Sequence, residues 1–505
     1  MKELPRIIKE NGLTWLQIDG KPMYILGAQV MNYNATNLAY LDQEIWPKLR
    51  PLHPNTVLFP VYWHSVEPQE GVFDFTLFDG LLAQCRREGV RLIPLWFGLW
   101  KSTFGTYTPS WLKRSCEIYH RVQKADGTPV NTMSPLCEAN VEADARAFAA
   151  LMRHIKAVDA EEQTVIMVQC ENECGMFRTD RDYGEQATAL FNAAVPAKVA
   201  AVYGSGTWPD VFGADAPEAF SSWSFAQAVQ QIAAAGKAEY DLPICLNAWL
   251  ENPAYGPGQS YPNGGCINKF LPIWQATAPA LFALTPNAYG DFAAVCDSYA
   301  SHGNPLLVPE TFGGLDTPAN LLYAFGRHNA IGFSPFGAEM IYDSKRPNPA
   351  APAITAAYDL IANMRETLHK AHLEGRIHAF IEDGKRVNFF ETKKYRINIL
   401  FGNSKSFILD GGFGFGASGE KKPMGGGFVI QEDEDTFLFV GTGFTPEFLP
   451  KAGTTGQTDM DWADDGHYEN DVWVPGRIYT GDTYGNCMRL GNMPSMVRCN
   501  MYIYK

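Results

Sequence analysis

The chain has 505 residues, of which 46% are hydrophobic and 19% charged, so general disorder is excluded and more than one domain is expected. Its 55 acidic and 41 basic side chains give a net charge of −14. Because a protein that binds a phosphate backbone or an anionic membrane needs a basic surface, we exclude nucleic acid and membrane as partners and keep small neutral molecules, sugars included.

The N-terminal segment begins M-K-E-L-P-R and lacks the apolar stretch of a signal peptide. No run approaches the roughly 18 apolar residues of a membrane span. Ten cysteines are too few for a disulfide scaffold in a chain of this length, and we expect Cys170 and Cys174 to be buried free thiols. The sequence therefore predicts a cytoplasmic protein, although an exported form trimmed of its signal would have the same sequence.

Eight short apolar runs with strand character alternate with longer amphipathic stretches between residues 23 and 335. We predict strands at 23–29, 56–62, 91–97, 165–171, 243–249, 280–284, 305–310 and 331–335. We predict helices at 78–88, 141–158, 183–202, 220–235, 268–276 and 318–328, with a last helix at 354–373. This alternation, which stops after eight strands, indicates a (β/α)8 barrel.

Beyond Gly375 the helical periodicity disappears, and short β-type runs separated by glycine-rich turns follow. We predict strands at 387–391, 395–401, 428–432, 436–442 and 500–504, with turns at 410–419 and 424–427. This pattern is typical of an antiparallel β-sandwich. The sequence therefore predicts an α/β protein with two domains, a catalytic barrel over 1–374 and a C-terminal β-sandwich over 375–505.

Two predicted strands end in a carboxylate at the point where each opens into a loop. The fourth strand leads into Glu171 and Glu173, and the seventh ends in Glu310. Active sites of such barrels lie at the carboxyl ends of the strands, and Glu is rarely buried unless it is paired. Two converging carboxylates are the equipment for glycoside hydrolysis, in which one acts as an acid and the other as a nucleophile or a base. Two nearby carboxylates also resist ionising together, and the one that stays protonated is the acid.

Other carboxylates at the same rim are alternatives. Glu171 lies two residues before Glu173 and is an alternative acid, but we prefer Glu173, which is nearer the rim, with Glu171 as a buried support. Glu251 after strand five and Glu339 after strand eight are rivals for the nucleophile, although substrate binding or a loop salt bridge suits them better. Asn172, beside Glu173, supplies an amide that can hold a sugar hydroxyl.

Aromatic side chains crowd the predicted rim, and aromatic rings cover the apolar faces of sugars. Trp96 and Trp100, which follow strand three, are the preferred platforms, and Trp249 after strand five is a further one. Tyr289 follows strand six and is next in barrel order to Glu310, so its hydroxyl can orient that carboxylate.

The sequence gives no sign of a cofactor or a metal. The ten histidines show no metal-ligand spacing. No dinucleotide fingerprint opens a helix, the glycine-rich stretch 411–416 precedes no helix, and no G-x-S-x-G elbow is present. We therefore expect chemistry that needs neither a cofactor nor a metal ion.

Several motifs resemble those of known glycosidases. The segment V-Q-C-E-N-E-C-G at 168–175 resembles the V-Q-x-E-N-E-x-G segment of family 35 β-galactosidases, which belong to the clan with catalytic glutamates at strands four and seven. Segments at 55–57, 62–63, 67–68, 70–71 and 73–75 are similar to families 35 and 42, and those at 95–101, 107–113, 147–159 and 181–183, with the C-terminal glycine-rich region, fit one branch of family 35. The likeness is greatest to the bacterial branch of family 35 that carries an extra C-terminal β-domain.

The resemblance implies roles for individual residues. It makes Glu173 the acid/base with Asn172 on the substrate, Glu310 the nucleophile and Tyr289 the hydrogen-bond partner of Glu310. We add Gln29 and Asn32, at the end of strand one, and Glu339 to the sugar-binding rim. This sequence departs from the family pattern near that rim, where Pro60 and His64 replace a Tyr and an Asn, and Gln29 stands where a related branch has Glu.

Together these observations predict a retaining exo-β-glycosidase, with a β-galactosidase as the first choice and a small neutral glycoside or oligosaccharide as substrate. The alternatives are an exo-β-glycosidase acting on a glucoside, glucosaminide or arabinoside, and a non-catalytic carbohydrate-binding protein. The sequence leaves the oligomeric state open, a homo-oligomer included.

Overall fold

The computed structural model describes residues 2–252, 254–384, 388–401, 423–479 and 488–505. It opens with a three-stranded antiparallel sheet formed by Arg6–Glu10, Leu13–Ile18 and Lys21–Met23. The Asn329 side chain, just after a barrel helix, donates from Nδ2 to the carbonyl of Thr14 at 3.1 Å. This bond ties the N-terminal sheet to the barrel that follows.

Eight parallel strands form the barrel. In chain order, barrel strands one to eight are Ile25–Gln29, Thr56–Tyr62, Arg91–Lys101, Val168–Asn172, Ile244–Ala248, Ala283–Pro286, Leu307–Thr311 and Gly332–Pro335. Each pairs with its neighbour in the order six, five, four, three, two, one, eight, seven. Strands six and seven close the circle through one parallel bridge between Asn287 and Glu310, where the amide of Ala288 donates to the carbonyl of Glu310 at 2.8 Å.

Helices surround the barrel and pack on it through apolar faces. In Glu138–Asp159, for example, Phe148, Leu151, Met152 and Ile155 recur at spacings of three and four residues and are fully buried. The α-helices are Leu38–Tyr40, Trp46–Leu49, Trp63–Val66, Thr76–Glu88, Ser110–Arg114, Glu138–Asp159, Glu185–Asn192, Ala197–Tyr203, Trp208–Phe212, Ala216–Glu239, Leu271–Thr277, Phe292–Tyr299, Thr317–His328, Ala351–Asn363 and Arg365–Leu373.

Shorter elements complete this part of the chain. Turns of 3-10 helix lie at Asn34–Thr36, Arg50–Leu52, Gly213–Asp215, Asn268–Phe270, Ser301–Gly303 and Ala338–Met340, and a π-turn lies at Leu41–Ile45. A hairpin of Arg121–Gln123 and Pro129–Met133 follows strand three.

The predicted barrel is confirmed, and several of its elements differ from the prediction, three of them as follows. The helix expected over 183–202 is two helices, because Pro196 lacks the amide hydrogen that a continuous helix would need. The helix expected over 354–373 is interrupted at Met364. Strand three continues to Lys101 instead of ending near Phe97.

Two antiparallel sheets form the C-terminal part. One contains, in order, Ile377–Ile381, Gly426–Gln431, Thr436–Thr442, Ser495–Tyr504, Gln457–Asp464 and Ile478–Tyr479, and the other contains Phe389–Glu391, Tyr395–Phe401 and Phe444–Pro450. A separate hairpin consists of His467–Glu469 and Val472–Val474. Phe437 and Phe439 of the larger sheet share a hydrophobic core with Ile397 and Phe448 of the smaller one. The C-terminal sandwich is thus confirmed.

The larger C-terminal sheet also packs on the barrel. Alternate residues of strand Thr436–Thr442 point to opposite faces, so Phe437 and Phe439 enter the sandwich core while Leu438 and Val440 join the core of the barrel. Both faces are therefore covered, and the whole strand is buried. The division of the chain at 374/375 stays a prediction.

Some further expectations concern the chain as a whole. Cys170 and Cys174 are buried free thiols, as predicted. Among the described residues no helix is long and apolar enough to cross a membrane. The cytoplasmic location stays a prediction, and the glycine-rich turn at 410–419, with 411–416, lies outside the described residues.

Candidate active site

The two predicted catalytic carboxylates meet at the carboxyl end of the barrel. Glu310 lies within strand seven, and Glu173 directly follows strand four. Glu173 adopts a left-handed backbone conformation, with φ at 51°. Such conformations are uncommon for residues other than glycine and recur at functional sites, where the surrounding structure holds them. Here the amide of Glu173 donates to Asn247 Oδ1 on strand five at 3.0 Å.

Glu173 is surrounded by donors. Asn287 Nδ2 donates to its Oε1 at 2.7 Å, and Ser102 Oγ donates to its Oε2 at 2.6 Å. The ammonium group of Lys101 lies 3.6 Å from the same Oε2. The carboxyl group is thus fixed from strands three and six, with each oxygen held by a different strand end.

Glu310 is fixed in the same way from two other strands. Tyr289 OH donates to its Oε1 at 2.7 Å, and Gln29 Nε2 donates to its Oε2 at 3.1 Å. Burial, together with the negative charge of Glu173, raises the pKa of Glu310 from its ordinary value to about 7. The effect of Glu173 on this pKa means that the two carboxylates interact across the barrel mouth. The raised pKa lies on Glu310, however, whereas the sequence reasoning expected the carboxyl group that keeps its proton to be the acid, Glu173.

A second pair of carboxyl groups lies beneath the first. Asp144 and Glu171 are fully buried and hydrogen-bond to each other, and both accept from the amide of Leu99, at 2.8 and 3.0 Å. Burial, with the charge of Asp144, raises the pKa of Glu171 well above its usual range. Two carboxyl groups can bond in this way only when one carries a proton. Glu171 therefore has the support position that we expected.

Several buried polar atoms near the carboxylates lack a hydrogen-bond partner among the described residues. They are both amide atoms of Asn172, Oε1 of Gln29, Oδ1 of Asn32 and Oε2 of Glu339. The other oxygen of Glu339 accepts from Asn34 Nδ2 at 2.5 Å and from the amide of Met31 at 3.2 Å. Unpaired buried polar atoms are costly, and those at this end of the barrel are of the kind that a polyhydroxylated ligand can satisfy.

The prediction of a sugar platform at Trp96 and Trp100 is wrong. Both side chains are fully buried: Trp96 Nε1 donates to Asp144 at 2.7 Å, and Trp100 Nε1 donates to the carbonyl of Met133 at 3.0 Å. Because strand three extends through Lys101, both tryptophans lie within the strand and below the rim. They belong to the core.

Two other rings are available at the mouth. Trp249 is 38% exposed and packs edge-on against Phe177 at 5.6 Å. Phe312, which the sequence reasoning missed, is 69% exposed and lies 4.5 Å from the Tyr289 ring. It stands two residues after Glu310, and an apolar residue beside a strand-end carboxylate is the signal that could have found it.

Sequence reasoning also missed Lys101, Ser102 and Asn287. Asn287 follows strand six, and Lys101 ends strand three, so both obey the rule that functional side chains stand at strand ends. Lys101 was missed because the predicted end of strand three was four residues early. Of the rival carboxylates, Glu251 is exposed in its loop.

Of the three residues that depart from the family pattern, Gln29 ends strand one, and Pro60 and His64 lie on strand two and just after it. Pro60 is buried within the strand. The His64 ring stacks on Tyr62 and Tyr107, at 5.9 and 5.7 Å between ring centroids, and burial lowers its pKa. No group of three or more metal-ligating side chains occurs among the residues that the structure describes.

Known proteins are similar to two parts of this chain. Residues 48–205 match the family 42 glycoside hydrolase model, described as Beta-galactosidase, and residues 354–491 match a model described as Domain of unknown function (DUF5597). A β-galactosidase of Xanthomonas manihotis is 29% identical over 180 residues, which cover 34% of this chain and 27% of that protein. The chain thus spans about a quarter of this relative.

These sequence matches show that part of the chain is similar to part of the β-galactosidases. They confirm the family 42 part of the resemblance, and the family 35 part stays a prediction.

Solved structures with a similar arrangement include two glycosidases. The β-galactosidase of Marinomonas ef1 gives a TM-score of 0.47 at 14% identity, covering 69% of this chain and 60% of that one. The catalytic domain of the β-amylase of Paenibacillus polymyxa gives 0.47 at 12% identity, covering 65% and 95%. At these scores neither likeness bears on the activity of this chain.

Proposed function

We propose that this protein is a retaining exo-β-galactosidase that removes terminal β-galactosyl residues from neutral glycosides or oligosaccharides. The observation that carries the proposal is the pair of Glu173 and Glu310, held at the ends of strands four and seven and close enough for the charge of one to raise the pKa of the other. The match of residues 48–205 to the β-galactosidase model supports the choice of sugar. We further propose that the chain belongs to the bacterial branch of family 35.

In the first half-reaction Glu310 is the nucleophile and Glu173 the acid. Ionised Glu310 attacks the anomeric carbon, the bond from that carbon to the leaving oxygen breaks, and Glu173 gives its proton to that oxygen. The product is a covalent glycosyl-enzyme. Tyr289 and Gln29 hold the carboxylate of Glu310 in the orientation for attack.

In the second half-reaction Glu173 is the base. Its carboxylate takes a proton from water, the resulting oxygen attacks the anomeric carbon, and the bond to Glu310 breaks. Two inversions restore the β-anomer. The unpaired amide of Asn172 and the free oxygens of Gln29, Asn32 and Glu339 suit the sugar hydroxyls in both steps.

The cycle requires one proton on the carboxylate pair. In the free protein burial favours that proton on Glu310, so substrate binding must be accompanied by its presence on Glu173 instead. The exchange is internal to a coupled pair and needs no other acid. A bell-shaped dependence of kcat/KM on pH follows, because the pair is inactive with two protons and with none.

A panel of aryl β-glycosides that differ only in the sugar tests the substrate. We expect the galactoside to be cleaved fastest. Faster cleavage of a glucoside, glucosaminide or arabinoside would identify another exo-β-glycosidase, and sugar binding without any cleavage would identify a carbohydrate-binding protein.

Two further measurements test the mechanism. Proton NMR of the first-formed sugar should show the β-anomer before mutarotation, whereas the α-anomer would exclude a double displacement. A 2-deoxy-2-fluoro galactoside with a good leaving group should trap the glycosyl-enzyme, and peptide mass spectrometry should find the label on Glu310. A label on Glu173 would exchange the two roles.

A further inference from the structure

A tight turn at the end of strand three holds a serine against the proposed acid/base. Lys101 and Phe104 exchange two backbone hydrogen bonds, of 2.9 and 3.0 Å, around Ser102 and Thr103. Both central residues have positive φ, 49° and 75°. Two-residue turns of this hand favour Asn-Gly, and a β-branched threonine is unfavourable there. The sequence of this turn is therefore poorly suited to its conformation, which indicates a role outside the turn itself.

The turn places three polar groups in series. Lys101 Nζ donates to Ser102 Oγ at 2.6 Å, and Ser102 Oγ donates to Glu173 Oε2 at 2.6 Å. An ammonium group has no acceptor, so Lys101 must donate to the hydroxyl, whose single hydrogen is then available to an ionised Glu173. Lys101 and Glu173 side chains are each only 11% exposed, so water screens their charges weakly. The amide of Ser102 donates to the carbonyl of Asn172 at 3.1 Å and fastens the turn to strand four.

The charged and titratable groups that face Glu173 come from three elements. Lys101 lies on strand three, Tyr289 follows strand six and Glu310 lies on strand seven. Of these, Lys101 is the cation; it lies 3.6 Å from Oε2 of Glu173, and its charge also acts to lower the pKa of Glu310, more weakly than burial and Glu173 act to raise it. The hydroxyl of Ser102 bridges the ammonium group of Lys101 and this carboxylate oxygen of Glu173.

We propose that Lys101, acting through Ser102, is a positioning residue that stabilises the carboxylate form of Glu173 and thereby favours its role as the base of the second half-reaction. The proposal rests on the proposed function. In this proposal Ser102 links the ammonium group of Lys101 to Glu173 through its hydroxyl. That hydroxyl donates to Oε2 of Glu173, the oxygen that would exchange protons. The first half-reaction requires protonated Glu173, so its rate should fall as the pH rises.

Variants of Lys101 and Ser102 test the proposal through pH profiles. In Lys101→Met the alkaline limb of kcat/KM for an alkyl galactoside should move to higher pH by about one pH unit. The reason is that Glu173, without the neighbouring ammonium charge, should bind its proton more tightly. For a dinitrophenyl galactoside, whose turnover is limited by the second half-reaction, kcat at neutral pH should fall about tenfold. Ser102→Ala should move both quantities in the same direction by a smaller amount, and Lys101→Arg should restore the wild-type limb.

Lys113→Met is the matched control. Lys113 is a half-buried lysine near the same rim that donates to the carbonyl of Thr106 and to neither carboxylate, so its variant should keep the wild-type profile. Melting temperatures show which variants fold, and Ser102→Ala carries the test if Lys101→Met does not. Folded variants whose profiles coincide with that of an active wild type would overturn the proposal. A wild type that cleaves no aryl glycoside would instead overturn the proposed function itself, and with it this inference.

Discussion

At the scale of single residues, Glu310 has a conflict between stability and function. As the proposed nucleophile Glu310 must be ionised, but burial raises its pKa to about 7, so the fold favours the protonated form. The folded state therefore binds this proton more tightly than the unfolded chain does. Its contribution to stability is complete below the ordinary carboxyl pKa and is lost as the pH rises toward 7. Glu310 therefore contributes least to the stability of the folded protein at the pH where it is ionised and most reactive.

Glu310→Gln should remove the activity and raise the stability at neutral pH. We expect kcat to fall roughly 10^4-fold or more, equivalent to about 5 kcal/mol of activation free energy. Above pH 7 urea unfolding should give a gain of roughly 3 kcal/mol, which disappears below about pH 4.5. The unpaired Oε1 of Gln29 can accept from the new amide, so the variant should fold. An active, stable Glu310→Gln would disprove the assignment.

Glu173→Ala should affect substrates according to their leaving groups. An acid matters most when the departing oxygen is strongly basic, so an alkyl galactoside should lose far more activity than a dinitrophenyl one, by roughly 100-fold or more in relative kcat/KM. The two substrates should be compared on one preparation, with added azide as an external nucleophile for the second half-reaction. Equal losses on both would assign the acid to Glu171 or leave Glu173 a structural role.

At the scale of elements, the end of strand three is held in place by the buried carboxyl groups of Asp144 and Glu171. Asp144 and Glu171 accept from the amides of Leu99 and Trp100, so this buried pair of carboxyl groups sets the path of the strand toward Lys101 and Ser102. Gly98 lies against both carboxyl groups, and a Cβ there would collide with them. The absent side chain is what lets the pair approach the strand.

Gly98→Ala should therefore destabilise the protein by about 3 kcal/mol and reduce activity, because overpacking a buried polar pair forces the strand to shift. Urea unfolding and kcat on an aryl galactoside measure the two effects. Gly314→Ala is the control, since a Cβ at Gly314 meets no atom within 4 Å and its φ is not positive. A Gly98→Ala variant as stable and active as this control would show that the strand does not depend on the pair.

Element-level prediction from sequence succeeded where a local rule decides the outcome. Apolar runs and their alternation with helices gave the eight barrel strands, and the strand-end rule found Glu173, Glu310 and Tyr289. It failed where a boundary depends on tertiary pairing. Strand three continues because its residues pair with strand two as far as Phe97 and with Asn172 of strand four at Lys101, and no local pattern encodes those partners.

Trp96 is the instructive failure at the site. Its sequence neighbourhood is that of a rim residue, but its indole donates to a carboxyl group on a distant helix. Only the folded chain brings Asp144 to it. Contacts between residues far apart in the chain also bring Asp144 to Glu171 and the donors Ser102 and Asn287 to Glu173. The exposure of Phe312 likewise depends on the folded chain.

At the scale of the whole molecule, the C-terminal sheets are joined to the barrel through helix Thr317–His328. Gly326 of this helix touches the Phe428 side chain, and Ala319 touches Gly426. The absence of side chains at both glycines permits the close approach. The larger sheet therefore covers apolar surface of the barrel as well as of its partner sheet.

Truncation after Gly375 should accordingly give insoluble protein. The deletion would expose the apolar barrel surface now covered by residues such as Phe428 and Val440, and large exposed apolar patches cause aggregation. The soluble fraction after expression, compared with the full chain, measures this. A soluble truncated barrel with full activity would show that the C-terminal part is an independent module.

The bridge between strands six and seven makes barrel closure and catalytic alignment a single event. Asn287 meets Glu310 through its backbone and Glu173 through its side chain, so one residue sets the register of the last strand pair and the orientation of the acid. A slip of one residue would turn that side chain to the other face of the sheet. Molecules whose strands six and seven pair in the wrong register would then show no activity. Every active molecule would have the correct register.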